Sequence, residues 1–313
     1  MSSLERSASG AVVVGGANVD VLGVATGSLK AADSNIGRIS ESPGGVGRNI
    51  AENLARLGVP TSLITAFGTD AHGRWLRDEC VSDGIDVSGS LDVNDVPGSR
   101  YLAICDAGGD MKLALNDMRA LDSLTPQVLA EKASLLGSAG VIVADTNIPA
   151  EALAWLADHV TAPLLVDPVS AVKAGRVRPL LDRVYALKLN ALEAGELLGR
   201  AVPVDDEELC LAAALDLVVR GVTRVFLTRG PSGVIATDRS ETLLLAAPTT
   251  RIANVTGAGD AFSAGVAYAT LQGLSLRESA EMGSAMATLA LSSDRTVSLA
   301  VSEAVLPTFS KES

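Results

Sequence analysis

Residues 254–265 read NVTGAGDAFSAG. Three small residues, Gly257, Ala258 and Gly259, stand before a single acid, Asp260, and an apolar run that reads as a helix follows. A turn of this kind can aim successive backbone N–H groups at one point. The free N–H groups and dipole of a helix start add to a site for negative charge. Asp260, in the first turn, presents a carboxylate to the same point. Donors beside a base suit phosphoryl transfer to a hydroxyl: the base takes the hydroxyl proton while the N–H groups hold charge developing on the phosphate. The same letters also describe a capped helix with packing glycines, since glycine-rich turns are common.

Working outward, short apolar runs alternate with helical patterns. AVVVGG (11–16), SLITAFG (62–68), VIVAD (141–145), LLVDP (164–168), YALKLN (185–190) and RVFLTRG (224–230) read as buried strands. Between them, GRNIAENLARLG closes on Gly58, a helix stop, and DAHGRWLRDECVSDG opens on Asp70, a good N-cap. DDEELCLAAALDLVVRG carries acids in its first turn and Arg220 in its last, as the helix dipole favours. This alternation predicts an α/β domain with a mostly parallel sheet covered on both faces. Two stretches break the rhythm. Residues 19–42 show no helix pattern, and residues 98–115 read as two strands around an Asp-Ala-Gly-Gly-Asp turn. Both are expected to project from the strand ends as a small second sheet, placed as a lid over ligands bound there.

Four further groupings carry chemistry. Gly44 and Gly45 permit close backbone approach, and Asn49 offers a donor and an acceptor to the same cleft. Asn18 and Asp20, just past the first strand, can grip neighbouring hydroxyls or form an Asx turn. Asn190 and Glu193 put an amide and a carboxylate together at a strand end, suited to Mg²⁺ through its water shell or to a helix cap. Thr228, Gly230 and Gly233 form a strand-end turn that can cradle nucleotide phosphates or be an ordinary loop.

Composition narrows the classes. The chain has 313 residues, 48% apolar and 20% charged, enough for one large core. The net charge of −12 and the lack of a basic run disfavour nucleic-acid binding. An anionic substrate then needs local devices, such as a helix N-terminus or a divalent metal. Cys80, Cys105 and Cys210 form no CxxC and read as buried reduced thiols. Two histidines nearly exclude a His-rich zinc site. The opening MSSLERSASG does not read as a signal peptide, and no apolar run approaches a membrane span, so a cytoplasmic protein is expected. GGANVD after the first strand lacks the GxGxxG spacing of a nicotinamide site.

Taken in order, these groupings resemble the ribokinase-like family of carbohydrate kinases, the phosphofructokinase-B family. GGVGRNIAENLARLG looks like its N-terminal signature and NVTGAGDAFSAGVA like its C-terminal one, within a similarity from GGANVD to ATLALS. The resemblance implies a single ribokinase-like, Rossmann-type three-layer α/β/α domain with a β lid at about 19–42 and 98–118. It implies ATP with Mg²⁺ as phosphoryl donor and a sugar or nucleoside hydroxyl as acceptor. Asp260 is then the base, with Gly257, Ala258 and Gly259 as the anion hole. Asn18, Asp20, Gly44, Gly45 and Asn49 grip the acceptor, Asn190 and Glu193 act on Mg²⁺ and phosphates, and Thr228, Gly230 and Gly233 face the nucleotide.

Within the family, KAADSNIGRISESPGGVGRNIAENLARLG, LALNDM, VIVADTNI, LLVDPVSAVKAGRVR and LKLNALEAGEL look like the pseudouridine kinases. That implies phosphorylation at the ribose 5′-hydroxyl. A C-linked uracil has one more ring N–H than uridine presents, so recognition needs an extra acceptor. Asn35, Asn116 and Asp117 of the lid are the candidates. Some relatives hold an activating K⁺ with an Asp six residues before the base; Asn254 stands there, which puts K⁺ activation in question. A lid hairpin is marginal alone, so a homodimer through the lids is expected.

Overall fold

The computed structural model describes residues 10–302; the polar opening segment read above lies outside them, apart from Gly10. In chain order the strands are β1 (Ala11–Val14), β2 (Asn18–Ala25), β3 (Gly37–Gly44), β4 (Thr61–Ile64), β5 (Ala66–Gly68), β6 (Leu91–Val93), β7 (Arg100–Cys105), β8 (Met111–Asp117), β9 (Val141–Asp145), β10 (Leu164–Asp167), β11 (Ala186–Asn190), β12 (Arg224–Thr228), β13 (Val234–Thr237) and β14 (Thr242–Leu245). Eight form one sheet in the order β14-β13-β12-β11-β10-β9-β1-β4. The six from β4 to β12 are parallel, and β13 and β14 continue antiparallel.

The apolar runs become central strands because both sheet faces are covered. Along β1, Val12 and Val14 enter one core while Ala11 and Val13 enter the other. This is the two-residue alternation of a strand buried on both sides. Helices Ala150–His159, Ala191–Leu198 and Glu207–Val219 cover the first face; Val46–Arg56, Ala258–Leu271 and Leu276–Leu291 cover the second. The expected stops hold. Asp70 Oδ1 accepts from Gly73 N at 2.8 Å, Asp206 Oδ1 accepts from Leu209 N at 2.9 Å, and Gly58 takes a φ of 77°.

One expectation changes. SLITAFG is two strands: β4 pairs with β1, and β5 pairs with β6 in a separate two-stranded sheet. The break falls at Thr65, whose N donates to Ser90 Oγ at 3.1 Å and whose O accepts from Leu91 N at 2.9 Å. The 90–91 segment therefore replaces β1 as partner. Cys80, Cys105 and Cys210 are free and buried.

A smaller four-stranded sheet, β3-β2-β7-β8, stands beside the large one. Residues paired in register share a face, so Ser42, Asp20, Tyr101 and Asn116 form one row. The next row, Glu41, Val21, Leu102 and Leu115, points the opposite way. Ile39 and Leu113 share that opposite face through Gly23 and Ile104.

Candidate active site

The site forms where two helices start at the carboxyl ends of the parallel strands. Helix Ala258–Leu271 starts behind Gly257, whose φ of 84° is left-handed and whose lack of a side chain leaves the first N–H groups uncapped. Those groups and the helix dipole face open space suited to an anion. Lys188, on the buried β11, stands against the same turn: a Cβ at Gly259 would lie 2.6 Å from its Nζ. Bare backbone at Gly259 is what admits the ammonium.

Asp260, in that first turn, accepts a 2.8 Å hydrogen bond from Asn49 Nδ2. Burial, then the negative charge of Asp167, push its carboxyl up to about 7, with Asp145 adding to the rise; Asn49 and Lys188 oppose it. Asp145 and Asp167 end neighbouring strands as direct register partners, and both are buried. Asp167 Oδ2 accepts from Lys188 Nζ at 3.2 Å and from Ser263 Oγ at 2.8 Å. Burial alone would lower the Lys188 pKa, but Asp167, Glu193 and Asp260 outweigh it and raise it. The result is a carboxyl poised near neutral pH beside a fixed cation, an arrangement suited to proton abstraction next to a developing negative charge.

Helix Val46–Arg56 brings Asn49. Its N-cap, Gly45, has φ 99°, and a Cβ there would meet Gly16 O at 2.5 Å and Ala17 Cα at 2.7 Å. The glycine thus lets the helix start press against the end of β1. Asn18 Nδ2 donates to Asp20 Oδ1 at 2.6 Å, and a Cβ at Gly44 would run into the Asp20 carboxylate. Burial raises the Asp20 pKa, against the Asn18 hydrogen bond and the charge of Arg48. Asn18, Asp20, Gly44, Gly45 and Asn49 therefore gather on one side of Asp260.

The other expected residues divide. Thr228, Gly230 and Gly233 line a cavity of about 530 Å³ together with Ala258 and Gly259, closed by Val234, Phe262, Ala287 and Leu291. Asn190 and Glu193 form a capping box. Asn190 Oδ1 accepts from Glu193 N at 3.0 Å, and Glu193 Oε2 accepts from Asn190 N at 2.8 Å. Asn116 shares the Asp20 row. Asp117 falls on the other face and pairs with Arg119 at 2.7 Å. Asn35 is exposed and ties its own loop, accepting from Lys30 N at 2.8 Å and donating to Lys30 O and Asp33 O. Asn254 Oδ1 accepts from Thr256 N at 2.9 Å, so its side chain braces its own turn and brings no charge toward a cation.

Sequence reading missed Lys188, Asp145 and Asp167, which sit inside runs read as buried strand. It also missed Asn147. A Cβ at Gly16 would meet Asn147 Nδ2 at 2.8 Å, and Lys173 Nζ donates to Asn147 Oδ1 at 2.6 Å. A signal was present for three of them: Asp145 and Asp167 end parallel strands and Asn147 follows one, where ligands sit, whereas Lys188 lies mid-strand in β11.

The sequence profile of the pfkB family carbohydrate kinases matches residues 8–302. The chain belongs to that family. The pseudouridine kinase of Escherichia coli (strain K12) is 41% identical over 287 residues, 91% of each chain. An uncharacterised sugar kinase of the same organism, YeiI, is 38% identical over 90% of this chain and 78% of its own. Among solved structures, a carbohydrate kinase from Agrobacterium tumefaciens superposes with TM-score 0.83 at 28% identity, covering 95% of both chains. Arabidopsis thaliana ribokinase, solved with ribose and ATP, superposes with TM-score 0.82 at 23% identity over 96% of each chain, a likeness of fold. As a pfkB kinase, the protein is a phosphotransferase with an alcohol group as acceptor, acting on a sugar or nucleoside. No helix among the described residues is long and apolar enough to cross a membrane.

Proposed function

We propose that this pfkB kinase transfers the γ-phosphoryl group of ATP to the 5′-hydroxyl of pseudouridine, giving pseudouridine 5′-phosphate and ADP. The observation that carries the reading is the contact of Asn49 with Asp260 at the mouth of an uncapped helix. It puts an acceptor-side amide and a near-neutral carboxyl beside a ready anion site. The 41% identity to a pseudouridine kinase supports the choice of acceptor.

Asn18 and Asp20 hold the ribose hydroxyls, with Gly44 and Gly45 admitting the sugar ring. Asp260 takes the 5′-hydroxyl proton as the oxygen attacks phosphorus. The N–H groups after Gly257, with Lys188, hold the charge on the transferring group. The cavity beside Thr228, Gly230 and Gly233 takes the nucleotide; its apolar walls suit a purine ring, and its Gly259 side opens to the anion site. Asn116, on the Asp20 row, faces the base and supplies the extra acceptor.

The residues fit Mg²⁺ held through water. Glu193 has one oxygen fixed by its cap, and the other accepts no hydrogen bond from the described residues. When bound, Mg²⁺ would be held through water by Asn190 and Glu193 and would offset phosphate charge. Asn190 and Glu193 are kept rigid for that task by the capping box itself. For K⁺ the fit is poor, since Asn254 is neutral and spent on Thr256.

The smaller sheet acts as the lid and as a dimer face. Ile39, Leu113 and Leu115 are 77%, 55% and 62% exposed on the side turned away from Asp20. A second lid laid against them removes this apolar surface from water and stabilises a homodimer.

A second reading, uridine, adenosine or ribose as acceptor, is favoured by the similarity to the sugar kinase YeiI. Turnover of pseudouridine, uridine, adenosine and ribose with ATP separates the two. The proposal expects pseudouridine to have the highest kcat/KM; equal turnover of uridine sinks it.

A further inference from the structure

Arg48 is 3% exposed on the first turn of helix Val46–Arg56, and no step above uses it. Its guanidinium is clamped at the back: Nη1 to Glu52 Oε2 at 2.7 Å and Nη2 to Asp83 Oδ2 at 2.6 Å. Arg56 closes the ring, reaching Glu52 at 2.7 Å and Asp83 at 3.2 Å. At the front, Arg48 Nη1 also donates to Asn49 Oδ1 at 3.3 Å. A guanidinium has donors only, so it must meet the oxygen end of the amide. The nitrogen end then faces Asp260.

We propose that Arg48 is a positioning residue: held by Glu52 and Asp83, it locks the Asn49 amide so that Nδ2 donates to Asp260. The proposal rests on the reading of Asp260 as the base. Freed of Arg48, the amide can turn its oxygen to the carboxylate, and the donor at the base is lost. The groups facing Asp260 are Asn49 from this helix, Asp145 from β9, Asp167 from β10 and Lys188 from β11. Among them only Asn49 is bonded to Arg48 among the described residues. Asn49 lowers the Asp260 pKa, so losing its donation moves the carboxyl upward. The Arg48 charge also favours ionised Asp20, so acceptor binding weakens in parallel. Cys80 also interacts with Arg48, but burial pushes its thiol up to about 11, so it stays neutral.

The test uses Arg48→Lys, which keeps charge but loses the fork, and Arg48→Met/Glu52→Gln, which leaves Arg56 to hold Asp83. Asp83→Asn loosens only the outer clamp. Each is measured for thermal melting, for kcat and acceptor KM across pH, and for the ¹³C titration of the Asp260 carboxyl, assigned with Asp260→Asn. The two Arg48 variants are expected to fold and to lose roughly 10- to 100-fold in kcat, the range for outer partners of working residues. The acid limb of the rate and the ¹³C midpoint should both rise by about one pH unit. Asp83→Asn should shift both the same way by less, with melting near wild type, and it decides the matter if the Arg48 variants do not fold. Folded variants with kcat, acid limb and ¹³C midpoint unchanged overturn the proposal. If wild type phosphorylates none of the acceptors tested, the proposed function fails instead, and the ¹³C midpoints alone judge the Arg48 lock.

Discussion

Asn49 and Asp260 stand 211 residues apart in the chain and meet amide to carboxylate at 2.8 Å. The contact joins the starts of two helices, one resting on glycine backbone at β1 and the other on the Gly257 turn. It places the acceptor side and the anion side of the site within one hydrogen bond of each other. It also fixes the carboxyl proposed as the base among Asp145, Asp167 and Lys188.

That titration predicts the pH dependence of the reaction. A base must be deprotonated, and Asp260 is pushed up to about 7. The kcat/KM of the acceptor should rise with unit slope below about pH 7 and level off above it. A rate profile over pH 5–9 checks this; a flat profile down to pH 5 contradicts it.

The same shift has a cost in stability. The folded chain holds a proton on Asp260 between the ordinary value of 3.8 and about 7, where the unfolded chain has released it. The stabilisation is complete below pH 3.8 and is lost as pH rises through about 7. At about 1.4 kcal/mol per unit, the ionised carboxyl at pH 8 costs up to about 4 kcal/mol. Asp260→Asn should therefore melt higher than wild type at pH 8, by a margin that shrinks toward pH 5. Thermal melts at the two pH values measure it.

Gly45→Ala should damage folding and site together. At φ 99° an L side chain is strained, and its Cβ would stand 2.5 Å from Gly16 O, a backbone atom that cannot swing aside. A loss of at least about 2 kcal/mol is expected, read as a lower urea midpoint. A wild-type midpoint would mean that the helix start is not pressed on β1.

Leu115→Glu tests the lid face. The residue lies on the side turned away from Asp20, so a charge there should split a homodimer without entering the site. Sedimentation velocity should show a wild-type dimer and a variant monomer. A wild-type monomer ends the dimer proposal.

The layered fold was legible because its cause is local. Short Val, Ile and Leu runs between helices with readable caps leave few alternatives to a covered parallel sheet. Asn49 and Asp260 were legible because glycine turns mark the helix starts that carry them. Asp145 and Asp167 were not, because each ends a run whose other residues are core; Lys188 was not, because it sits in the middle of one, and strand periodicity does not separate a buried cation from buried Leu. Arg48 was silent for another reason: its clamp at Asp83 lies 35 residues away, set by packing of the Ala71–Ser82 helix rather than by any spacing. Asn35 shows the converse. A polar loop residue looked available to a ligand, while its own backbone takes its hydrogen bonds.

The central claim is that Asp260 activates a nucleoside hydroxyl for attack on ATP. The measurement is the rate at which γ-labelled phosphate from ATP appears in pseudouridine 5′-phosphate, compared for wild type and Asp260→Asn at pH 8. The account predicts label in the 5′-phosphate with wild type and a rate at least about 100-fold lower with the variant. Transfer by Asp260→Asn at the wild-type rate, or label from wild type that reaches only inorganic phosphate, would contradict it.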